Sequence, residues 1–270
     1  MNLVELLQDQ AEDSTALIDR GNSIPFGELD SDTASAASDL RRRNFDPGDT
    51  ILFFHPVSIR LYVALLAVMR AGLTAVFIDP SASPDFIARC VNLVKPRAFF
   101  GSWKARLFLP LKIPVLRDIP KISNFEANAA PDSSEIFPAE GHEPALITFT
   151  SGSTGEPKGV ARSHEFLLAQ HASLSRSLRL EAGQVDLVTL PVFVLANLAS
   201  GTTSILADTN LARPGVVKAK RVARQIGAGA VTRIVASPAF FESLTKRKKK
   251  AVFPGVREVF TGGAPVFPRT

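Results

Sequence analysis

One cysteine, Cys90, stands in 270 residues, so no disulfide can form within the chain. Histidine is almost as scarce. His164 and His171 are seven apart and would share a helix face, but no further His, Cys or carboxylate lies at ligand spacing, which argues against a metal site. Long apolar runs are missing too: the longest, Leu61 to Met69, falls well short of the roughly 20 residues a bilayer requires and reads as a buried helix. The N-terminal MNLVELLQDQ has neither the basic nor the apolar region of a secretory signal, so the expectation is a cytoplasmic protein with no membrane span. No repeat of fixed short period is present.

Charged residues make up only 21% of the chain against 46% apolar, which suits a sizeable core and excludes a disordered tail. The formal charge of +5 raises the question of nucleic acid, yet the basic residues concentrate in two short runs, RRR at 41–43 and KRKKK at 246–250. Both fall where helices should end, and cations there complement the helix dipole and stay solvated. Without aromatic interleaving, no nucleic-acid partner is expected.

Elements alternate in a way that defines the fold class. After a helix over residues 2–12, a hairpin turning at Arg20-Gly21-Asn22 and a helix along GELDSDTASAASDLRRRN, the chain reads strand Thr50 to Phe54, helix Ser58 to Ala71, strand Thr74 to Ile78, helix Pro84 to Val94 and strand Arg97 to Phe100. This spacing means βαβ units. Alternation resumes later with helix Ser163 to Leu178, strand Asp186 to Leu190, helix Val192 to Ser200, strand Thr203 to Leu206, amphipathic helix Gly215 to Ile226, and strands Thr232 to Ala236 and Val256 to Thr261. The expected architecture is α/β, with layered, mainly parallel sheets flanked by helices in two subdomains, 1–140 and 141–270. Trp103 to Pro144, rich in proline and polar residues, carries no sustained period and marks the boundary.

Residues 150–159, TSGSTGEPKG, leave the end of a strand and hold three glycines, four hydroxyls and one lysine. Gly152, Gly155 and Gly159 allow positive φ and close backbone approach, so peptide N–H groups can converge on an anion. Thr150, Ser151, Ser153 and Thr154 add hydroxyl donors and Lys158 a point charge, which together make a phosphate cradle. The spacing is wrong for a P-loop, since Pro157 precedes the lysine and Gly159 follows it. It is equally wrong for a hydrolase elbow, because Ser153 is flanked directly by Gly152. Pro157 resists an immediate helix, and Gly-Val-Ala-Arg reads as a return strand. His55, just after a strand at the edge where α/β proteins place ligands, is a further pocket candidate.

TSGSTGEPKGV resembles the phosphate-binding signature of the adenylate-forming superfamily, which includes acyl-CoA and aryl-CoA synthetases, luciferases and nonribosomal-peptide adenylation domains. LPVFVLANLASG and EVFTGGAPV follow in the family's order, so the resemblance spans the chain. It implies that a small-molecule carboxylate attacks the α-phosphorus of ATP, with Mg2+ accompanying the nucleotide, to give an acyl-adenylate and pyrophosphate; a thiol such as CoA then accepts the acyl group. The phosphate grip falls on Thr150, Ser151, Gly152, Ser153, Thr154, Gly155 and Lys158. The adenine side falls on Gly262, Gly263, Ala264 and Pro265, and the acyl pocket on Phe193, Val194 and Asn197. Many members carry a histidine beside that phenylalanine, where this chain has Val194. The uncharged stretch PVFVLANLASGTTSILA suits a fatty or otherwise apolar acyl group, and its pattern resembles fatty-acyl ligase relatives, among them the β-lactone synthetases of olefin biosynthesis; a plain buried helix and strand would explain the same apolarity.

The family's later nucleotide and magnesium contacts, ribose-binding aspartate, hinge and C-terminal domain with its catalytic lysine are expected beyond Thr270. Three readings follow: the N-terminal piece of an acyl-activating ligase, which is favoured; a truncated nucleotide-binding protein without complete catalysis; or a protein completed by a second chain that supplies the C-terminal domain.

Overall fold

The structure is a computed structural model and describes residues 1–125, 135–151, 156–209, 217–246 and 253–265. Strands β1 (Thr15–Asp19) and β2 (Asn22–Pro25) form the expected hairpin, with Arg20 and Gly21 at positive φ in its tight turn, and α1 (Phe26–Arg42) follows. Next come β3 (Thr50–Phe54), α2 (Ile59–Arg70), β4 (Thr74–Phe77), α3 (Pro84–Val94), β5 (Ala98–Gly101), α4 (Trp103–Lys112) and β6 (Lys121–Ile122). A second series runs β7 (Pro144–Ser151), β8 (Pro157–Ser163), α5 (His164–Leu178), β9 (Val185–Val188), α6 (Pro191–Leu198) and β10 (Thr203–Leu206). It continues with α7 (Ala219–Ala228), β11 (Arg233–Ala236), α8 (Pro238–Lys246) and β12 (Glu258–Thr261).

Two six-stranded sheets result, ordered β6-β5-β3-β4-β7-β8 and β12-β11-β9-β10-β1-β2. In each, five strands run parallel and one edge strand, β8 or β2, is antiparallel, so both sheets are mixed and mainly parallel. The chain divides into one unit of Met1–Glu5 and Asp30–Ala169 and another of Leu6–Leu29 and Gln170–Thr270. This division differs from the boundary expected at 140. β7 joins the first sheet beside β4, and β1 joins the second beside β10, pairings between distant segments that local composition does not encode.

Local differences have local causes. The helix expected over residues 2–12 is a short 3-10 turn, Leu3–Leu7, because buried Asn2 anchors the chain by donating from Nδ2 to the carbonyls of Met69 (2.8 Å) and Phe137 (3.1 Å). The supposedly irregular stretch after Trp103 contains α4, started by Ser102, whose Oγ accepts the Ala105 N–H at 3.2 Å. Pro110 lies in its last turn, where a missing N–H removes only one helical bond. The basic run at 41–43 is tied down as well: Arg43 pairs with buried Asp39 at 2.9 Å.

Each unit has its own core. Leu52, Val76, Ile87, Phe99 and Leu116 pack together in the first, and Leu187, Ile205, Val222, Ile234 and Phe240 in the second. The second sheet also carries a polar row, buried at Ser204, Asp186 and Arg233 and half-buried at Glu258. Ser204, Asp186, Arg233 and Glu258 lie side by side on β10, β9, β11 and β12. Arg233 Nε donates to Asp186 Oδ1 and Nη2 to Oδ2, both at 2.7 Å, and Nη1 donates to the Leu178 carbonyl at 2.7 Å. Asn197 Nδ2 completes the cluster by donating to Asp186 Oδ2 (3.1 Å) and Ser204 Oγ (3.0 Å). Removing one partner of such a buried pair strands the other charge, so Arg233→Met should lower unfolding stability by about 3–5 kcal/mol. Urea titration checks this, and adding Asp186→Leu to the same protein should restore part of the loss.

Candidate functional site

The first sheet builds the platform for the hydroxyl-rich run. β7 pairs with β4 only as far as Phe77 opposite Thr148, so Phe149 to Ser151 project past β4 and pair with β8 alone. The return begins at Pro157, opposite Ser151, as the proline predicted. Gly152, Ser153, Thr154 and Gly155, the centre of the expected cradle, lie outside the described residues.

Strand alternation gives this hairpin two different faces. Ile147 and Phe149 pack against the first unit's core. Thr148, Thr150, Lys158, Val160 and Arg162 share the other face, with Lys158 directly across from Thr150. Both are exposed, and among the described residues no carboxylate lies within ion-pair distance of Lys158. Arg162, which the motif does not include, donates from Nη1 to Thr148 Oγ1 at 2.6 Å and braces the hairpin across its strands. Its signal in the sequence was the two-residue period from Lys158. Gly159 differs from expectation: it sits in regular β8 without positive φ, opposite Phe149, where an added Cβ would approach that ring to 3.4 Å.

α5 leaves β8 at once. Ser163 Oγ accepts the Phe166 N–H at 3.2 Å, and buried His164 accepts the Leu3 N–H on Nδ1 at 3.2 Å, which requires that nitrogen to be unprotonated. Burial lowers the pKa of His164, with the Glu143 charge opposing in part. His55 stands at the carboxyl end of β3 and stacks on Phe100, with ring centroids 5.2 Å apart; burial lowers its pKa as well.

The other two expected segments belong to the second unit, at the carboxyl edge of its sheet. Gly262 and Gly263 follow β12; Gly262 donates its N–H to the Ala236 carbonyl at 3.4 Å and Gly263 adopts φ +81°. Gly263, Ala264 and Pro265 are exposed, leaving backbone open to a flat group. A Cβ on Gly263 would stand 4.0 Å from Leu190 Cδ1, so this turn lies beside the start of α6. On α6, half-buried Phe193 packs against Leu178, Leu180 and Ala196, and Val194 is buried. Asn197 on the same helix is fully buried, and its Nδ2 donates to Asp186 and Ser204. Among the described residues no group of three or more His, Cys, Asp or Glu is placed to hold a metal ion, and no helix is long and apolar enough to cross a membrane.

This fold of two mainly parallel sheets is found in known proteins. The N-terminal domain of FACL13 from Mycobacterium tuberculosis, solved with an inhibitor bound, superposes with a TM-score of 0.87 at 17% identity, covering 99% of this chain and 71% of that one. ATP-bound MatB from Rhodopseudomonas palustris superposes at 0.83 with 18% identity, covering 98% and 56%. The fold is that of the N-terminal domains of adenylate-forming enzymes. Residues 5–270 match the family described as AMP-binding enzyme, and the chain belongs to it. An olefin beta-lactone synthetase from Stenotrophomonas maltophilia (strain K279a) is 29% identical over 260 residues, 91% of this chain and 47% of that protein. The 4-coumarate--CoA ligase-like 4 protein of Oryza sativa subsp. japonica is 28% identical over 93% of this chain and 50% of its own length. The chain thus spans about half the length of these relatives.

The histidines make stability depend on pH with a definite sign. Unfolded histidine titrates near about 6.5, and the fold holds His164, His55 and His171 neutral below that value. Unfolding therefore takes up protons as pH falls, so their contribution is complete above the unfolded pKa and is lost below it. The urea midpoint should drop between about pH 7.5 and about pH 5.5, and His164→Gln should drop less. Equal pH dependence in the two proteins would contradict the buried neutral imidazole.

Proposed function

We propose that this chain is the N-terminal part of a ligase that activates a carboxylic acid with ATP. The observation that carries the reading is exposed Lys158, without an acidic partner among the described residues, opposite Thr150 where the hairpin projects beyond its sheet. An uncompensated ammonium facing a threonine on the paired strand suits the β- and γ-phosphates. One carboxylate oxygen attacks the α-phosphorus, the bond to the bridging oxygen of the β-phosphate breaks, and pyrophosphate leaves with the added charge. Lys158, Thr150, Ser151 and the glycine and hydroxyl residues 152–155 stabilise that charge as it develops. Mg2+ accompanies the phosphates, and Gly262, Gly263, Ala264 and Pro265 present open backbone to adenine.

Our reading of the acid is a fatty or otherwise apolar one, with Phe193 and Val194 on its side of the site. Uncharged α6 and the similarity to olefin beta-lactone synthetases support it. A thiol such as CoA is one acceptor that fits. The later catalytic groups come from further sequence, in the same chain or a second one, and the work is done in the cytoplasm.

Pyrophosphate exchange into ATP, run with fatty, aryl and amino acids on protein extended to its relatives' length, should respond to fatty acids. Lys158→Ala removes a charge-assisted contact of roughly 1.5–3 kcal/mol and should weaken ATP binding by about ten- to a hundredfold in calorimetry. Equal ATP affinity in both proteins would remove the phosphate assignment. ATP binding without exchange for any acid would leave a nucleotide-binding protein and overturn the ligase.

A further inference from the structure

Ten large apolar side chains are exposed among the described residues, and four of them belong to α4, a helix of only ten residues. Trp103 (62% exposed), Leu107 (56%) and Leu111 (67%) recur every four residues along one face, and Phe108 (51%) widens it. The opposite face explains why the helix holds its orientation: Ala105 and Leu109 pack against the first unit's core and Pro110 is buried. An apolar stripe on the outer side of a helix already packed on its inner side serves no folding purpose of that unit.

The charges that α4 and the segment after it bring to the stripe are mainly basic. α4 has no carboxylate, and residues 103–121 hold five basic side chains against a single acid, Asp118. Lys104, Lys112, Arg117 and Lys121 are all exposed. Lys104 Nζ stands over the Trp103 ring, 5.4 Å from its centroid, so a cation lies directly beside the apolar stripe.

We propose that α4 seats this protein on an anionic lipid surface. At about 1.5 Å per residue the helix is far too short to span a bilayer, but it can lie in the interface with Trp103, Leu107 and Leu111 among the upper acyl chains and the lysines among the phosphates. Tryptophan is favoured at that depth, and cations near an anionic leaflet each add to the attraction. The stripe is carried by one convex helix, and a bilayer accommodates it without the matching groove a protein partner would have to supply. This binding is independent of the activity proposed above.

Trp103 is the single tryptophan of the chain and reports directly on its surroundings. Vesicles of phosphatidylglycerol mixed with phosphatidylcholine should shift its emission to the blue and carry the 270-residue chain down on centrifugation. Affinity should fall about tenfold or more in pure phosphatidylcholine and again in high salt. Leu107→Glu with Leu111→Glu should abolish the shift while the urea midpoint stays within error, since both side chains are exposed. Absence of a shift and of co-sedimentation with anionic vesicles would overturn the proposal, as would undiminished binding by the double variant. A blue shift that rises with protein concentration in the absence of lipid would overturn it in favour of a second copy covering the stripe.

Discussion

A guanidinium and a carboxylate shut away from water set the geometry of the second unit. Desolvating Arg233 and Asp186 costs several kcal/mol per ion, and only near-ideal geometry offsets it. That geometry is a two-pronged fork onto Asp186, with the remaining donors spent on the carbonyls of Leu178 and Arg179. A one-residue slip of β11 against β9 would turn Arg233 to the opposite face and leave the carboxylate alone, so the pair selects one register far more than it adds net stability. Asn197 and Ser204 extend the selection to α6 and β10. With those elements fixed, the turns after β9 and β12 emerge beside each other, and Gly263 comes next to Leu190.

The first unit solves the opposite problem. Its projecting hairpin keeps a cation clear of any acidic partner among the described residues. The hairpin does so by division of faces. Ile147 and Phe149 anchor it in the core, Arg162 braces it across the strands, and Lys158 is left facing water.

Much of this was legible in the sequence, for a physical reason: buried parallel strands and their crossover helices have distinct periods and lengths. β3, α3 and β10 fall on the predicted residues, and α2 lies within a residue at each end. α4 was missed because the stretch from Trp103 was read as proline-rich and without a sustained period, although a proline near a helix end costs one bond. Pairing partners were illegible wherever they are distant, as for β1 beside β10. The buried ion pair left only a faint trace, a lone charge opening each of two apolar runs, DLV and RIVA. At the site, the motif identified the hairpin and its lysine. The tie that Asn197 makes to Asp186 and Ser204 was not legible, because a polar residue on an apolar helix looks alike in sequence whether it lines a pocket or ties a sheet.

β8 is an edge strand of its sheet. An open edge invites a strand from another molecule, and proteins commonly discourage this with proline and lysine. β8 begins with Pro157 and Lys158 and carries Arg162 further along. The residues proposed above to meet the phosphates are therefore of the kind that keep chains from joining edge to edge. Replacing them with residues better suited to a strand would trade solubility for regularity, which places two independent demands on the same short segment.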